Sequence, residues 1–490
     1  MQCNDPRRGE MAENITSQKQ DFAQWYQDVI REAELADSSP VRGCMVIRPY
    51  GYAIWERIQD SLDARFKATG HENAYFPMFI PQSFIQKEAE HVEGFAPELA
   101  IVTHGGGKQL EEPLVVRPTS ETIINHMFSK WIGSYRDLPM LLNQWANVVR
   151  WEMRPRAFLR TTEFLWQEGH TAHATEAEAR AETMRMLGVY RDFAHENAAI
   201  PVIPGRKTDR EKFAGAVETY SIEAMMGNGW ALQSGTSHYL GTNFAKAFNT
   251  RYLDENNEQQ FVHQSSWGVS TRLVGAVIMV HGDDSGLRLP PDLAPVQVVL
   301  VPIHKTDSER EQVMSAACRI RDELAGAGVR VRLDDRTTVS PGFKFNHWEV
   351  RGVPLRFELG PRDLASRVVT GSARNRPGRD AKFTIGFDSL LAETTAKLRT
   401  IQDELLDEAR SRQDSMTWEA ATYDEFKARF ESESGFCQVW WNGSSEDEER
   451  LQQETKATIR CIPLDQEPGE GPCFMTGGKA VHRAIVARAY

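Results

Sequence analysis

The amino-acid sequence predicts an α+β fold made of a large antiparallel sheet with helices, a smaller α/β unit and a third, C-terminal unit. The length of 490 residues is the first indication, because at about 150 residues per domain such a chain forms about three domains. Secondly, short β-rich runs alternate irregularly with helices up to about Arg288, which is typical of α+β proteins. Thirdly, a regular strand–helix alternation follows the proline-rich joint Leu289–Pro295 (LPPDLAP), and this βαβαβ series predicts a second, small α/β domain.

In the N-terminal half, apolar spacing predicts two helices and one unusual strand. The first 20 residues are polar and lack apolar periodicity, so we expect a disordered lead. Apolar residues recur at helical spacing over 21–36 and over 51–67, and Gly70 ends the second helix. The run Ala74–Ile80 (AYFPMFI) is strand-like, but its proline restricts it to an edge or another special position.

The C-terminal half gives a more regular pattern. The predicted elements after the joint are a strand (Val296–Ile303), a helix (Ser308–Ala327), a strand (Val329–Asp334), a helix (Pro341–Arg351) and a strand (Val353–Leu359). A long amphipathic helix over 387–412 follows, and the final part of the chain, with Trp440, Trp441 and an acidic stretch, predicts a third unit. We therefore divide the chain into 1–20, 21–290, 291–400 and 401–490.

Composition argues against several classes of protein. Hydrophobic residues make up 41% and charged residues 26% of the chain, which are ordinary values for folded globular domains. The longest clean apolar run, Leu273–Val280, is far shorter than the roughly 20 residues of a membrane-spanning helix, so no membrane association is expected. Six cysteines in a chain of this size do not suggest a disulfide framework, so we expect a reducing compartment, the cytoplasm.

The charge distribution is uneven along the chain. The net charge of −12, from 57 basic and 69 acidic side chains, argues against a protein that coats nucleic acid through overall positive charge. Between Arg351 and Lys382, however, eight basic residues are accompanied by only three acidic ones. A solvated surface and a local nucleic-acid contact both fit this segment, and charge alone favours the solvated surface.

Several common signatures of nucleotide binding and hydrolysis are absent from the sequence. There is no GxGxxG after a strand, no GxxxxGK followed by Ser or Thr, no HExxH and no GxSxG. The glycine-rich run Thr103–Lys108 (THGGGK) lacks the spacing and the hydroxyl group of a phosphate-binding loop. It therefore predicts a hairpin turn.

Arginine, glutamate, aromatic and histidine residues cluster instead in four blocks. The blocks are 117–121 (RPTSE), 149–173 (VRWEMRPRAFLRTTEFLWQEGHTAH), 233–241 (QSGTSHYLG) and 265–275 (SSWGVSTRLVG). Arg150, Arg160 and Arg272 offer the bidentate donors that clamp a polyphosphate, and Phe164 would stack on a base. Taken singly, Arg150 and Glu152 also fit exposed strand partners, and the two histidines of HTAH fit hydrogen-bonded structural residues better than zinc ligands.

The four blocks, in this order and at these separations, resemble the signature of class II aminoacyl-tRNA synthetases. Specifically, they resemble prolyl-tRNA synthetases of the archaeal/eukaryotic-like type, from about Gln18 to Tyr490. The segment 73–81 (NAYFPMFIP) resembles motif 1, the dimer-forming element, 150–164 resembles motif 2, and 268–272 resembles motif 3. The strings FLWQEGHTAHAT and GTSHYLG are specific to that family.

The resemblance implies a class II catalytic domain over 21–290, an anticodon-binding domain over 291–400 and a small α+β domain at the C-terminus. It also implies a homodimer in which L-proline and ATP, with Mg²⁺ on the phosphates, react to prolyl-adenylate before transfer to tRNA(Pro). Catalysis is assigned by the motif match to Arg150, Arg272 and Glu152. The implied ATP contacts are Arg150, Glu152, Arg160, Thr161, Phe164, Gln233, Thr236, Ser270 and Arg272.

Matching positions also imply a pocket for proline, whose ammonium group needs an acceptor and whose ring needs an apolar wall. The implied residues are Phe95, Thr119, Glu121, Arg150, Trp166, Glu168, His170, Phe213 and His238. Such a pocket discriminates against smaller amino acids by only about 1–3 kcal/mol. Residues 174–232 are too few for the editing insertion of the bacterial-type enzymes, so we expect no correction in cis.

In the anticodon-binding domain, the family resemblance implies four contacts with the two guanines of the proline anticodon. These are Glu349, Arg356, Arg362 and Asp363, with arginine bidentate to guanine. In the C-terminal domain the sequence departs from the zinc-binding relatives, whose four cysteines correspond here to Asn442, Asp447, Cys473 and Thr476. One thiolate and one aspartate do not make a structural zinc site, so we expect no metal site and a core position for Cys473.

Two alternatives to a housekeeping enzyme of this family stay open. A diverged paralogue would serve inhibitor resistance or biosynthetic amino-acid activation, and the run 218–221 (ETYS), which departs from the threonine-rich run of relatives, is where altered pocket behaviour is expected. A non-catalytic tRNA-binding or regulatory protein on the same fold would show erosion at Arg150, Glu152 or Arg272. None is visible in the sequence.

Overall fold

The computed structural model describes residues 14–89 and 99–490. Up to residue 281 its helices are α1 (Phe22–Glu32), α2 (Pro49–Ala68), α3 (Gln82–Ala89), α4 (Glu121–Trp131), α5 (Glu176–Glu196), α6 (Asn243–Phe248) and α7 (Arg272–His281). The strands of the same part are β1 (Ala36–Ser38), β2 (Met45–Ile47), β3 (Glu72–Asn73), β4 (Phe79–Pro81), β5 (Ala100–Gly105), β6 (Lys108–Val116), β7 (Met140–Val149), β8 (Glu163–His173), β9 (Val202–Arg206), β10 (Glu218–Met225), β11 (Ala231–Gly241), β12 (Arg251–Leu253), β13 (Gln259–Phe261) and β14 (His263–Ser270).

Two further groups of elements follow residue 281. The first consists of β15 (Val298–Pro302), α8 (Asp307–Gly326), β16 (Val331–Leu333), α9 (Pro341–Val350), β17 (Leu355–Leu359), α10 (Pro361–Ser366), β18 (Val368–Ala373) and β19 (Lys382–Gly386). The second consists of α11 (Leu390–Ser415), β20 (Thr417–Glu419), α12 (Tyr423–Phe430), β21 (Phe436–Trp441), α13 (Ser445–Thr455), β22 (Thr458–Pro463), β23 (Gly471–Pro472), β24 (Lys479–Ala480) and β25 (His482–Ala487).

An eleven-stranded sheet organises the molecule, with the strand order β20-β21-β25-β22-β9-β10-β11-β14-β8-β7-β3. Every neighbouring pair from β9 to β7 is antiparallel, which confirms the antiparallel sheet expected for this part of the chain. Helices α1, α2, α5 and α7 pack their apolar sides together with the sheet in the largest core cluster, around Trp25, Trp55, Phe66, Tyr190 and Trp267. This core supports the strands that carry the polar blocks of the sequence.

The smaller α/β unit has a five-stranded sheet in the order β16-β15-β17-β18-β19. Strands β16, β15 and β17 are parallel, and β18 and β19 are antiparallel additions. The βαβαβ series predicted after Leu289–Pro295 is therefore confirmed. The predicted hairpin turn at Thr103–Lys108 is confirmed as well, since Gly106 and Gly107 connect β5 and β6 with φ of +58° and +78°, values that glycine adopts without strain.

The strand prediction for Ala74–Ile80 was wrong for most of that run. Residues 74–78 have no strand structure, and the short strands β3 and β4 lie on either side of them in different sheets. Pro77 lies at the centre of the gap and has no N–H group to donate to a ladder. Apolar, aromatic composition alone therefore overestimated the strand.

The prediction of a disordered lead over 1–20 was wrong for residues 14–20; the rest of that segment lies outside the described residues. Ile15 is buried in the main core. Thr16 Oγ1 donates to Asp28 Oδ2 at 2.7 Å, and the backbone N–H of Gln18 donates to Asp284 Oδ1 at 2.8 Å. These polar residues are ordered by acceptors far away in the sequence, which composition does not reveal.

The C-terminal strands are joined to the antiparallel sheet of the N-terminal part, although the sequence predicted only a third unit. Strand β22 pairs antiparallel with β9, with Ile462 opposite Arg206 and Pro463 opposite Gly205. A Cβ atom at Gly205 would lie 2.5 Å from the Cys461 sulfur, so this close approach requires glycine. The chain end is held in the same way, because Ala231 N–H donates to Arg488 O at 2.7 Å.

No helix in residues 14–89 or 99–490 has the length and apolar character needed to cross a membrane.

Candidate active site

One cavity of about 580 Å³ collects the predicted ATP and proline contacts. It is lined by residues of β8, β10, β11 and β14, by the loop between β7 and β8, and by the start of α7. Every predicted contact in these two sets lines it except Phe95, which lies outside the described residues. The four separate sequence blocks thus meet at one place in the fold.

The loop between β7 and β8 positions Arg150 at the centre of the cavity. The backbone closes the hairpin, since Arg150 N–H donates to Thr162 O at 2.8 Å. The side chain is anchored by Nε, which donates to Pro118 O at 2.9 Å in the block RPTSE. Its guanidinium carbon lies 5.6 Å from the ring centre of Phe164 and 5.4 Å from that of Trp166. The terminal nitrogens are thereby left to bind an anion.

Arg272 is the first residue of α7 and forms the floor of the cavity. Its Nε donates to Leu159 O at 3.2 Å and its backbone N–H to Ser270 Oγ at 3.2 Å. Burial, and then the positive charges of Arg160 and Arg150, lower the pKa of Arg272 to about 10. Three guanidinium groups that repel one another would be stabilised together by a polyphosphate.

Glu152 and Thr161 make hydrogen bonds within the loop between β7 and β8 and at its end. The Arg154 backbone N–H donates to Glu152 Oε1 at 2.9 Å, and Glu152 Oε2 lies 3.5 Å from Arg160 Nε. Thr161 Oγ1 donates to Glu163 O at 2.7 Å. Of these contacts, the one with Glu152 reaches the Arg160 side chain, which remains 57% exposed. The predicted residues Gln233, Thr236 and Ser270 line the opposite side, on β11 and β14.

A buried acidic cluster lies beside Arg150, formed by Glu121, Glu168 and His170. His170 Nε2 is 3.4 Å from Glu121 Oε1, Thr119 donates to Glu121, and Ser120 donates to Glu168. One ligand atom from each of the three cluster residues lies within 4.8 Å of the others, a spacing that suits a bound cation.

Burial and charge act in opposite directions on these three groups. Burial opposes the ionisation of Glu121, but the hydrogen bond and charge of His170 outweigh it and hold the Glu121 pKa below its usual range. Burial raises the pKa of Glu168. For His170 burial is also the largest effect, yet Glu121 outweighs it and raises the histidine pKa. The cluster therefore holds an ion pair, Glu121 with His170, next to a carboxyl group that is costly to ionise.

Unpaired buried polar atoms concentrate around this cluster. Among the described residues, no protein group of suitable geometry bonds to Trp166 Nε1, Glu168 Oε2, either ring nitrogen of His170, Ser266 Oγ or Trp267 Nε1. All of these residues line the cavity. Because unsatisfied buried polar groups are costly, such a concentration indicates a site that a polar ligand completes.

The apolar side of the cavity is formed by Phe213 and His238. Their ring centres are 4.8 Å apart at an interplanar angle of 38°, and burial lowers the pKa of His238 to about 4, so that the ring is neutral at pH 7. Thr219 Oγ1 accepts from the Phe213 N–H at 2.9 Å and lies 2.9 Å from His238 Nδ1.

Sequence reasoning missed several residues that belong to this site. Thr219, Glu211 and Trp267 line the cavity, and Gln144 Nε2 supports Glu168 with a 2.8 Å hydrogen bond to Oε1. Two of them had a signal in the sequence, since Thr219 lies in the unusual run ETYS at 218–221 and Trp267 lies in the block 265–275. Glu211, between β9 and β10, and Gln144, on β7, lie in stretches with no distinctive local motif.

A second cavity, of about 610 Å³, lies between the α/β unit and residues 283–288 of the preceding part. Glu349 and Arg356 line it, together with Arg374 and Lys382. The Arg356 guanidinium carbon is 4.3 Å from the ring centre of Phe345, and its buried Nε has no protein partner in the described structure. The guanidinium also donates through Nη2 to Glu358 Oε1 at 3.2 Å, so Nε is the atom left for a polar ligand.

The other two predicted anticodon residues lie outside that cavity. Arg362 is exposed on α10. Asp363 caps the same helix by accepting from Gly360 N–H at 2.8 Å and from Thr370 Oγ1 at 2.9 Å. The structure thus brings together Glu349 and Arg356 only.

Several arginines of the basic segment 351–382 form ion pairs with acidic residues that lie elsewhere in the sequence. Arg351 pairs with Glu34 and Arg376 with Glu404. Arg374 makes a bidentate pair with Asp283, at 2.7 and 2.5 Å. The pairs of Arg351 and Arg374 join the α/β unit to the N-terminal part of the molecule, and that of Arg376 joins it to α11. The excess of positive charge counted along the sequence is therefore smaller in three dimensions.

The four positions that match zinc ligands in relatives have other partners. Asn442 Oδ1 accepts from Thr476 Oγ1 at 2.9 Å, and Asn442 Nδ2 donates to Lys479 O at 2.6 Å. Asp447 caps α13 by accepting from Ser444 N–H at 2.9 Å. Cys473 is buried in the C-terminal core, as expected.

Comparison with known proteins agrees with this architecture. Residues 104–281 match the model of the tRNA synthetase class II core domain (G, H, P, S and T), 297–397 match the anticodon binding domain, and 423–490 match the C-terminal domain of prolyl-tRNA synthetase. A chloroplastic/mitochondrial proline--tRNA ligase of Arabidopsis thaliana is 58% identical over 479 residues, which is 97% of this chain and 88% of the relative. The chain belongs to the prolyl-tRNA synthetase family.

Bacterial members of the prolyl-tRNA synthetase family are similarly close. The proline--tRNA ligase of Roseiflexus sp. (strain RS-1) is 56% identical over 480 residues, 98% of this chain and 99% of the relative. That of Chloroherpeton thalassium is 55% identical over 488 residues, 98% and 100% of the two chains. The class II assignment and the α+β fold inferred from the sequence are confirmed.

Proposed function

We propose that this chain activates L-proline with ATP and transfers it to tRNA(Pro). The concentration of unpaired acceptors and donors around Glu168 and His170, directly beside three converging guanidinium groups, carries the proposal. An acidic end suits an ammonium group, a basic centre suits phosphates, and the Phe213–His238 wall suits a small apolar ring.

In the first step the proline carboxylate attacks the α-phosphorus of ATP. A bond forms between carboxylate oxygen and phosphorus, the bond to the bridging oxygen breaks, and pyrophosphate leaves. Arg150, fixed by Pro118 O, is placed to hold the carboxylate and the α-phosphate, while Arg272 neutralises the leaving pyrophosphate. Alignment and charge neutralisation carry this step, so no protein nucleophile is needed.

Adenine binding is assigned to the loop between β7 and β8, together with the start of β8 and the start of α7. Phe164 offers a ring face, Arg272 packs on the other side of the base, and Glu152 and Thr161 fix the loop. Mg²⁺ is expected with ATP and, when bound, neutralises phosphate charge. Beyond the acidic cluster the lining contains the carboxylates of Glu152 and Glu211, a donor set that fits a cation held mainly by phosphate oxygens and water.

In the second step the terminal ribose hydroxyl of tRNA(Pro) attacks the activated carbonyl, and AMP leaves. Recognition of the tRNA is assigned to the second cavity, where Arg356 has a free buried Nε and Glu349 lies nearby. Arginine pairs well with guanine, which fits the two guanines of the proline anticodon. Arg362 and Asp363 lie on α10, which follows β17. In this proposal they contribute to anticodon binding from outside that cavity.

Three further assignments belong to the same proposal. A homodimer is supported by exposed Tyr75, Phe79 and Trp131 around the motif 1 segment, and sedimentation equilibrium tests it. Zinc is not expected, because the matching positions carry one thiolate and their polar atoms are hydrogen-bonded. A reducing compartment, the cytoplasm, is supported by the free thiols of Cys437 and Cys473, and localisation of a tagged chain tests it.

The decisive experiment is proline-dependent exchange of pyrophosphate into ATP, followed by charging of tRNA(Pro) with labelled proline. Arg272→Ala should reduce exchange about a hundredfold or more, whereas the matched Arg154→Ala in the exposed part of the same loop should retain it. Wild-type chain that exchanges pyrophosphate with another amino acid in preference to proline would overturn the substrate assignment. Exchange without charging would overturn the transfer step alone.

A further inference from the structure

The apolar wall of the amino-acid pocket is carried by a segment without regular secondary structure. Residues 207–217 connect β9 to β10 and include Phe213. The Phe213 N–H donates to Thr219 Oγ1, which also contacts His238 Nδ1. The position of the Phe213 ring therefore depends on Thr219 inside the pocket. It also depends on the contacts that the segment 207–217 makes on its outer side.

The C-terminal helix α13 holds this segment from outside. Thr208 Oγ1 donates to Glu448 Oε2 at 2.9 Å, and both residues are buried. Arg210 Nη2 donates to Gln452 Oε1 at 3.2 Å, and Arg210 Nη1 to Ser445 O at 3.4 Å. The sequence separation of about 240 residues between Thr208 and Glu448 makes this a contact between distant parts of the chain.

A short turn transmits the contact to the wall. The N–H groups of Glu211 and Lys212 both donate to Thr208 O, at 3.2 and 3.0 Å, and Phe213 follows directly. Thr208 is thus one tight turn away from the ring that encloses the pocket. Because these two backbone hydrogen bonds close the turn, we expect a displacement of Thr208 to displace Phe213 as well.

Behind the segment, a buried ion cluster fixes its first residue. Lys207 Nζ donates to Glu223 Oε1 at 2.9 Å and to Arg460 O at 2.6 Å, and the Arg460 guanidinium donates twice to Glu223 Oε2, at 3.1 and 3.0 Å. This cluster fixes the start of the segment rigidly. The Thr208–Glu448 hydrogen bond then orients the turn that follows Lys207.

We propose that Glu448 in the C-terminal part is a positioning residue for the amino-acid pocket, acting through Thr208 on Phe213 and thereby on selectivity for proline. The inference rests on the proposed function. The pocket gains its discrimination from contact with a small ring, and the loss of close contact weakens binding of the larger ligand more than that of a smaller one. The predicted ATP contacts Arg150, Phe164 and Arg272 lie on other elements. Of residues 207–217, Glu211 also lines the cavity, but a cation held mainly by phosphate oxygens and water depends little on it, so KM for ATP should change far less than KM for proline.

The test uses the full-length chain in pyrophosphate exchange with proline and with alanine. Glu448→Ala and Thr208→Val should each raise KM for proline about fivefold or more, with kcat and KM for ATP within about twofold of wild type. Selectivity for proline over alanine should fall by a similar factor. The double variant should be no worse than either single one, because both changes break the same contact.

Two kinds of control separate positioning from general stability. Glu448→Gln and Thr208→Ser keep an acceptor and a donor and should restore KM for proline. Glu454→Gln lies on the same helix but contacts Tyr423 and Arg450 within the C-terminal part, so it should leave KM for proline unchanged. Calorimetric titration with proline gives its Kd independently of turnover.

The outcomes distinguish the two proposals. An unchanged proline KM and Kd in Glu448→Ala overturns the positioning role, as does an equal loss in Glu454→Gln or a parallel rise of KM for ATP. Wild-type chain that binds proline without exchanging pyrophosphate overturns the proposed function while the Kd values still decide the positioning role. Wild-type chain that does neither overturns both.

Discussion

Two buried charged clusters in this molecule contrast sharply in how their polar atoms are satisfied. In the cluster of Lys207, Glu223 and Arg460, each Glu223 oxygen accepts from a cation and Lys207 also bonds a carbonyl group. In the cluster of Glu168 and His170, no hydrogen bond of suitable geometry in the described structure satisfies Glu168 Oε2 or either ring nitrogen of His170, and Glu121 Oε1 approaches His170 Nε2 only to 3.4 Å. Both clusters are almost completely buried.

The difference teaches how to tell a structural cluster from a binding site when both consist of charged residues. In a satisfied cluster, the hydrogen bonds and ion pairs within the cluster offset the free energy lost when its charges leave water. In an unsatisfied cluster, that desolvation free energy is not offset until a ligand binds. The first cluster ties β10 to β22 and so couples the C-terminal part to the sheet. The second lies open to the cavity that holds the arginines.

The largest expected effect follows from breaking the satisfied cluster. Glu223→Ala leaves Lys207 and Arg460 buried without their counter-charge, so the free energy of unfolding should fall by about 3–5 kcal/mol. Urea denaturation measures it. Replacing all three residues by apolar ones (Lys207→Met, Glu223→Leu, Arg460→Met) should recover most of the loss. A Glu223→Ala chain as stable as wild type would show that the cluster is not structural.

The opposite response is expected from the unsatisfied cluster. Glu168→Gln removes a buried carboxyl group whose ionisation burial already opposes, so stability should be unchanged or slightly higher. The KM for proline in pyrophosphate exchange should rise about a hundredfold, equivalent to about 2.7 kcal/mol, because the ammonium group loses its charged acceptor. KM for ATP serves as the internal control. If Glu168→Gln lowered the free energy of unfolding as much as Glu223→Ala does, the proposed difference between a structural cluster and a binding site would be contradicted.

The sequence predicted the unsatisfied cluster far better than the satisfied one. Glu121, Glu168 and His170 were named from the resemblance of their blocks to a known family, and the structure places them with Arg150 around one cavity. The roles given to these residues stay predictions. Phe213 and His238 were named in the same way, but their link through Thr219 was not.

Lys207, Glu223 and Arg460 had no such signal. They come from three separate strands or strand ends, and only the pairing of β22 with β9 brings them together. The antiparallel and parallel sheets were readable from local periodicity, whereas the register of two short strands some 250 residues apart is set by tertiary packing. The acidic partners of the basic segment, such as Asp283 for Arg374, were hidden for the same reason.

A smaller, pH-dependent effect is expected where the two parts of the chain meet. Burial, and then the negative charges of Glu211 and Asp209, raise the pKa of Glu448 to about 7, against the hydrogen bond from Thr208 and the charge of Arg210. The unfolded chain ionises Glu448 near its ordinary pKa, so at pH 8 the folded state carries the cost of a buried charge. Glu448→Gln should therefore be more stable than wild type by about 1–3 kcal/mol at pH 8.

The direction of the Glu448 pKa shift determines the pH range in which the stability difference between wild type and Glu448→Gln disappears. As pH falls through 7 the folded wild type takes up a proton that the unfolded chain does not yet bind, so wild type gains stability relative to the variant. The difference should vanish below the ordinary pKa of glutamate, where both states are protonated. Urea denaturation at a series of pH values measures it, and a constant difference across the series would contradict the assignment to Glu448.

The smallest expected effect concerns the positions that correspond to zinc ligands in relatives, and it extends the same comparison. Asn442 and Thr476 bond to each other, and Asp447 caps α13, so these polar atoms resemble the satisfied cluster rather than the open one. Incubation with a strong chelator followed by dialysis should leave the melting temperature and the charging of tRNA(Pro), assayed with fresh Mg²⁺, unchanged. Elemental analysis of the purified chain supplies the control, since zinc bound in near-stoichiometric amount would show that satisfied polar atoms do not exclude a metal here.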